Sequence, residues 1–312
     1  MTPTTSAAVP TSRRKWRRPN WWRGRTAVIG IPYAWLLVFF LVPFLIVAKY
    51  SVTDIDETAV QAVKLPISVA NFVWIATESS YSHALVASLK YALATTVLCL
   101  VIGYPFAYFM ARVKPSVQTT LLMLVMLPFW TPFLLRVFAW KSLLDKDGSV
   151  ASALLAVHAD RPLLALGLMS EPGDFMNTVF SLLVGMTYTY LPFMILPLYA
   201  NLAKMDLRLM EAASDLGATP WVVFWRVTVP LSIGGIVAGA MLVFIPCVGE
   251  YVMPELLGSP ATRMIGQVIF DDNFKNDTAP RAAAVTVILV LLIVVPLAGF
   301  NLYRARARKS AQ

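Results

Sequence analysis

The residues best placed for specific work form one short polar run, Glu211-Ala212-Ala213-Ser214-Asp215-Leu216-Gly217, set between long apolar stretches and followed thirteen residues after its glycine by Pro230. Its chemistry is that of docking. Asp206 is a candidate N-cap, Leu207–Leu216 has the length for a short helix, and Gly217 can end that helix in the left-handed conformation. A second helix is expected at once, with Thr219 accepting from the next amides, Pro220 at its first position, and Val229-Pro230 ending it. Ala212 and Ala213 leave a small-residue surface that a partner's backbone can approach closely, while Trp221, Phe224 and Trp225 are large enough to anchor the second helix towards the membrane.

A second constellation surrounds Glu250, a carboxylate inside an apolar run and flanked by Pro246, Gly249 and Pro254. An ionisable group at such depth is costly and faces a cavity, a cation or a partner side chain. The flanking prolines and glycine predict a broken helix with carbonyls freed beside the carboxylate. The residues allow two roles: contact with a cationic substrate, or pairing with Lys90 or Arg136 in a neighbouring span. Trp130, Tyr188 and Tyr190 can present ring faces to ammonium groups, each contact worth about 0.5–2 kcal/mol, or can pack between helices. Glu255 lies nearer the outer surface, as an entrance residue or a solvated one.

Catalysis has no such constellation. His83 and His158 lack companions at metal-ligand spacing, and Cys99 and Cys247 lie in apolar runs as packing thiols. No nucleophile, base and acid converge, so neither a catalytic nor a metal residue is assigned. The phosphate-binding pattern G-x-x-x-x-G-K-[ST] is absent, so ATP is not expected to bind this chain by that route.

The elements that must position these residues are membrane helices. Hydrophobic residues make up 58% of the chain, charged ones only 14%, and the mean hydropathy is +0.68, whereas soluble domains carry about 25% charged residues. Six apolar runs have the ~20 residues that cross a bilayer core: about Ala27–Ala48, Leu85–Ala111, Val117–Trp140, Val179–Ala200, Leu231–Val252 and Ala283–Tyr303. Alternation of the kind found in membrane barrels is missing, so the fold class is all-α. Residues 1–26 read as a basic arm ending near Trp21-Trp22, 27–303 as one transmembrane domain with the polar loop at 206–230, and 304–312 as a basic tail. The first run is longer than a signal-peptide core and lacks a small-x-small cleavage pattern, so it is expected to remain as a span.

The net charge of +9 is distributed as a topology signal rather than a nucleic-acid footprint. Arg13, Arg14, Lys15, Arg17, Arg18, Arg23, Arg25, Arg112, Lys114, Lys204, Arg208, Arg226, Arg304, Arg306, Arg308 and Lys309 fall on one side when six spans are threaded in order. The positive-inside rule then puts both termini and the polar loop in the cytoplasm. The other side carries Asp54, Asp56, Glu57, Glu78, Asp145, Asp147, Asp160, Glu171, Asp174, Asp271, Asp272 and Asp277. That excess of acids follows from retention of bases inside, or else fits a basic partner or cationic ligand. A short interfacial helix is expected around Val150–His158.

The segment EAASDLGATPWVVFWRVTVP resembles the EAA loop of importer-type ATP-binding-cassette permeases, with Glu211, Ala212, Ala213, Gly217 and Pro230 at the family's spacing and Val227 and Val229 in place of the usual Ile and Leu. Leu127–Pro132, Tyr188–Phe193 and Phe244–Gly258 are similar to the putrescine/spermidine permeases, most of all to the putrescine-type first permease subunit, over roughly Ile31–Tyr303. The resemblance implies a six-helix, type I importer permease subunit of the inner membrane whose loop, including Asp215, seats in a groove of a separate ATPase dimer. That dimer would bind ATP and Mg and drive alternating access. A second homologous permease subunit and an external substrate-binding protein are implied as well. Related permeases carry opines, phosphonates, sulfate or iron, so the resemblance leaves other cargoes open. A gradient-driven carrier or a membrane enzyme would need coupling or reactive groups beyond Glu250, Lys90 and Arg136, which the sequence does not supply.

Overall fold

A backbone inside hydrocarbon must satisfy its own hydrogen bonds, and uninterrupted apolar runs do so as helices. The computed structural model describes residues 21–55, 63–64, 68–276 and 278–309; Arg13, Arg14, Lys15, Arg17, Arg18, Asp56, Glu57 and Asp277 lie outside the described residues. The chain divides into two compact units, Met1–Lys49 and Tyr50–Gln312.

The first unit contains α1 (Trp21–Leu36) and most of α2 (Val42–Ser51), joined through a π turn at Leu37–Leu41. Helix therefore starts at Trp21 rather than Ala27. Its stretch Val28–Ser51, 24 residues, is long and apolar enough to cross a membrane, and Trp35 stacks on Phe39 with ring centroids 4.1 Å apart.

The second unit opens with a minimal antiparallel pair, β1 (Asp54–Ile55) and β2 (Val63–Lys64), in which Asp54 faces Lys64. Then follow α3 (Ala70–Thr77), the long α4 (Ser79–Met110), α5 (Pro115–Met126) and α6 (Phe133–Leu144). The short α7 (Ser149–Ala156) falls where a short helix is expected, around Val150–His158, and α8 (Asp160–Ala165) follows it. Next come α9 (Val179–Leu202), the loop helices α10 (Arg208–Asp215) and α11 (Pro220–Val223), and α12 (Val229–Val248). The chain continues through α13 (Val252–Leu257), α14 (Ile265–Phe274) and α15 (Ala279–Lys309). Among the described residues five helices can cross a membrane, and a sixth crossing exists if the bent α5–α6 pair counts as one span.

Two expected spans need correction. The run at Val117–Trp140 is not one straight helix, because its axis turns by 90° between Pro115–Trp130 and Phe133–Leu144. Pro132 clashes with a helical residue before it and has no N–H to donate, so Thr131 (φ −97°, ψ 140°) and Pro132 (ψ 138°) are extended. The fifth span is neither started at Leu231 nor broken at Pro230: helix runs from Pro220 to Val248 and ends before Glu250. A π turn at Phe224–Thr228, in which the Val229 N–H reaches back to the Phe224 carbonyl, widens the helix just ahead of Pro230 and lets it continue.

The core is the meeting of α4, α9 and α12, with Cys99, Met186, Met194, Leu198, Val243 and Cys247 buried in it. Lipid supplies no hydrophobic drive between helices, so close backbone approach and polar cross-links take over. The Tyr104 and Ser232 hydroxyls bond at 2.9 Å, and Cys99 Sγ donates to the Thr187 carbonyl at 3.6 Å. Two small residues set the α9–α12 spacing: a Cβ on Gly239 would stand 2.8 Å from Met194 Sδ, and one on Gly235 would stand 2.8 Å from Asn201 Cβ. Gly239→Val should therefore destabilise the bundle by about 1–3 kcal/mol. In a detergent melt it should lower the midpoint clearly more than Gly234→Val, because the Gly234 position meets only Asn201 Nδ2 at 3.4 Å. Equal midpoints would contradict this packing.

Candidate functional site

The polar loop is built as a helix, a turn and a second helix. Asp206 Oδ1 accepts from the Arg208 amide at 3.0 Å and so caps the start of α10. At the other end Gly217 has φ +82°, the Gly217 N–H bonds to the Ser214 carbonyl at 2.9 Å and the Ala218 N–H to the Ala213 carbonyl at 3.1 Å. This pair of bonds is a Schellman motif, which needs a left-handed residue at the position that Gly217 holds. Thr219 does not cap with its side chain as expected; Pro220 at the first helical position and the bond from the Val223 N–H to the Thr219 carbonyl fix the entry instead.

The loop's surface mixes acid and apolar groups. Glu211, Ala212, Asp215 and Gly217 are exposed, and Leu216 is 89% exposed. Trp221 and Trp225 are exposed, with their rings edge-on at 5.7 Å. Phe224 alone of the three turns inward, edge-on to Tyr104 and Tyr108 of α4 at 5.7 and 5.8 Å. Pro230 lies just past the π turn inside the continuous Pro220–Val248 helix, where the widened turn accommodates its missing donor.

Glu250 stands in the gap between α12 and α13, not within a span. Its Oε2 accepts from the Tyr190 hydroxyl of α9 at 2.5 Å, and its Oε1 accepts from the Val252 and Met253 amides at 3.1 and 3.4 Å. The helix does break here, though at Gly249; Pro246 stays inside α12 and Pro254 inside α13. Among the described residues every hydrogen-bond donor to this carboxylate is neutral. Among the described residues Glu250 forms no ion pair with Lys90 or Arg136. Lys90 lies over the Tyr91 ring at 5.6 Å, and Arg136 over the Phe133 ring at 5.7 Å with Nε and Nη1 buried and unbonded.

The remaining candidates separate. Tyr190 joins Glu250, and a line of rings leads away from it, Tyr190 to Phe193 at 6.2 Å and Phe193 to Phe129 at 5.1 Å. Tyr188 instead meets Trp140 edge-on at 5.5 Å and lines an apolar cavity of about 290 Å³ with Ile102, Phe106 and Pro128. Trp130 is 79% exposed at the α5–α6 bend. Glu255 accepts from Gln267 Nε2 at 2.9 Å and lies 3.8 Å from Lys275 Nζ. Sequence reading passed over Phe129 and Phe193, although both stand in the quoted segments, and over Gln267, for which no local signal exists.

The outer acids are partly committed. Asp271 binds Arg263 at 2.6 Å and Lys275 at 2.7 Å, and its carboxylate holds the Lys275 ammonium above the usual lysine value. Asp272 is buried and accepts from the Tyr81 hydroxyl at 2.6 Å. Among the described residues no group of His, Cys, Asp and Glu could hold a metal ion.

Residues 103–309 match the family model described as binding-protein-dependent transport system inner membrane component. The chain is 35% identical over 277 residues to the spermidine/putrescine transport system permease protein PotB of Haemophilus influenzae, covering 89% of this chain and 92% of the relative. It is 34% identical over 259 residues to the protein of the same name from Escherichia coli K12, covering 83% and 90%. A solved bacterial alginate ABC transporter, in complex with alginate pentasaccharide-bound periplasmic protein, superposes with a TM-score of 0.61 at 17% identity, covering 88% of this chain and 91% of that one. At that identity the likeness concerns the fold.

Proposed function

The chain belongs to the family of binding-protein-dependent transport system inner membrane components, as a multi-pass permease subunit of an ABC importer, and from that premise we propose that its cargo is a polyamine, putrescine or spermidine. The carrying observation is Glu250: a carboxylate at the break between α12 and α13, held among the described residues by the Tyr190 hydroxyl and two amides. The names of the PotB relatives support the same cargo. An ammonium entering beside Glu250 gains a charge-assisted hydrogen bond, and Tyr190, Phe193 and Phe129 supply ring faces for the methylene chain.

On this reading both termini and the 206–230 loop lie in the cytoplasm, in keeping with the basic residues that flank the spans. There Glu211, Ala212, Ala213, Asp215 and Gly217 seat in a groove of a separate ATPase dimer, which binds ATP and Mg, while Pro230 carries the helix into the membrane. A second homologous permease subunit completes the pathway, and an external binding protein delivers the cargo. Trp130, Tyr188 and Glu255 stand at the margins of that pathway rather than beside Glu250.

The test is reconstitution of the chain with its ATPase, second permease and binding protein in liposomes. ATP-dependent uptake of labelled putrescine or spermidine, competed by the other polyamine and untouched by sulfate, is the expected result. Uptake of sulfate without polyamine, or polyamine uptake by this chain alone, would overturn the reading.

A further inference from the structure

Resting on the reading of α10 as the ATPase-coupling helix, we propose that Met210 is the positioning residue that clamps this helix to two spans at once, with the π turn at Phe224–Thr228 as the flexible joint of α12. Met210 precedes Glu211 and is half-buried on α10. Its Sδ accepts from Arg112 Nη2 at 3.1 Å and from Thr228 Oγ1 at 3.6 Å. Arg112 follows the end of α4, with its guanidinium over the Tyr108 ring at 4.9 Å and its Nε buried without a hydrogen-bond partner. Thr228 is fully buried and is the last residue of the π turn. Phe224, the first residue of that turn, packs edge-on against Tyr104 and Tyr108.

The end of α4, the coupling helix and the base of α12 thus converge on one thioether. A methionine suits the position because its unbranched, polarisable side chain keeps contact while its surroundings shift. The π turn suits a joint because its hydrogen bonds close a wider loop, a geometry found at functional irregularities of helices. A displacement of α10 is delivered through Met210 to Arg112 and Thr228 together. Through Thr228 it reaches α12, whose far end is the Gly249-Glu250 break.

The test uses the assembled transporter with Met210→Ala and Met210→Leu, read by ATPase co-purification, thermal melting, ATPase stimulation by loaded binding protein, and cargo imported per ATP. Met210→Ala should keep the ATPase bound yet lose stimulation and cargo per ATP by about five-fold or more, the scale of a typical coupling free energy. Met210→Leu restores the volume but not the sulfur acceptor of Arg112 and Thr228, and should recover only part of that loss. Unchanged stimulation and stoichiometry in Met210→Ala would overturn the proposal. So would loss of bound ATPase, or a collapsed melt in both variants, since each would assign Met210 to docking or folding instead. The coupling reading itself fails separately, if Glu211→Arg leaves both ATPase association and ATP-driven uptake within a few-fold of the unmodified protein.

Discussion

Glu211→Arg should abolish ATP-driven uptake, by roughly 100-fold or more, in a protein that still folds. Glu211 is exposed in the first turn of α10, and its carboxylate makes no side-chain bond among the described residues. An acid there is favoured by the helix dipole, and reversing its sign costs only about 0.3–1 kcal/mol. The docking cost is larger, because mispairing one charge in a buried interface takes about 2–5 kcal/mol. Co-purification of the ATPase and uptake in vesicles decide it. If both stay within a few-fold of the unmodified protein, α10 is not the coupling element.

Glu250→Gln should leave assembly intact and cut polyamine transport by roughly 10- to 100-fold, the worth of one hydrogen bond to a charged group at about 1.5–3 kcal/mol. Glutamine retains an oxygen for the Val252 and Met253 amides and an acceptor or donor for the Tyr190 hydroxyl. Its effect therefore isolates the charge. Glu250→Ala should do worse, since it also strips the cap from α13 and leaves the buried Tyr190 hydroxyl without its acceptor, a penalty of about 1–3 kcal/mol. The measurement is initial uptake rate against polyamine concentration, beside a melt of each variant. Unaltered kinetics in Glu250→Gln would make the residue a cap and nothing more.

Much of the architecture was open to reading because it depends on local quantities. The length of an apolar run and the charges at its ends set the helices Ser79–Met110, Val179–Leu202 and Ala279–Lys309 to within several residues. The loop was legible for the same reason: Gly217 is required by a left-handed turn, and Asp206 by an unpaired amide, each within a few residues of its partner.

Prolines show where local reading ends. Pro105, Pro192, Pro197 and Pro246 remain inside helices, whereas Pro132 ends one and turns the chain by 90°. The residue type is identical in every case. What differs is whether neighbouring groups and backbone adjustments re-satisfy the carbonyl that each proline frees, as the π turn does ahead of Pro230.

The amino-acid sequence by itself determined the all-helical membrane fold, the place of the polar helix–turn–helix loop and the presence of one acid beside the end of an apolar run in the second half of the chain. Only the tertiary structure decided that Glu250 faces Tyr190, sixty residues away in sequence, rather than Lys90 or Arg136, and that Met210 joins α4 to α12. Helix formation follows from each segment's own composition in lipid. Which side chains meet depends on how far α9 and α12 approach, and that spacing is set by small residues such as Gly235 and Gly239 facing Asn201 and Met194.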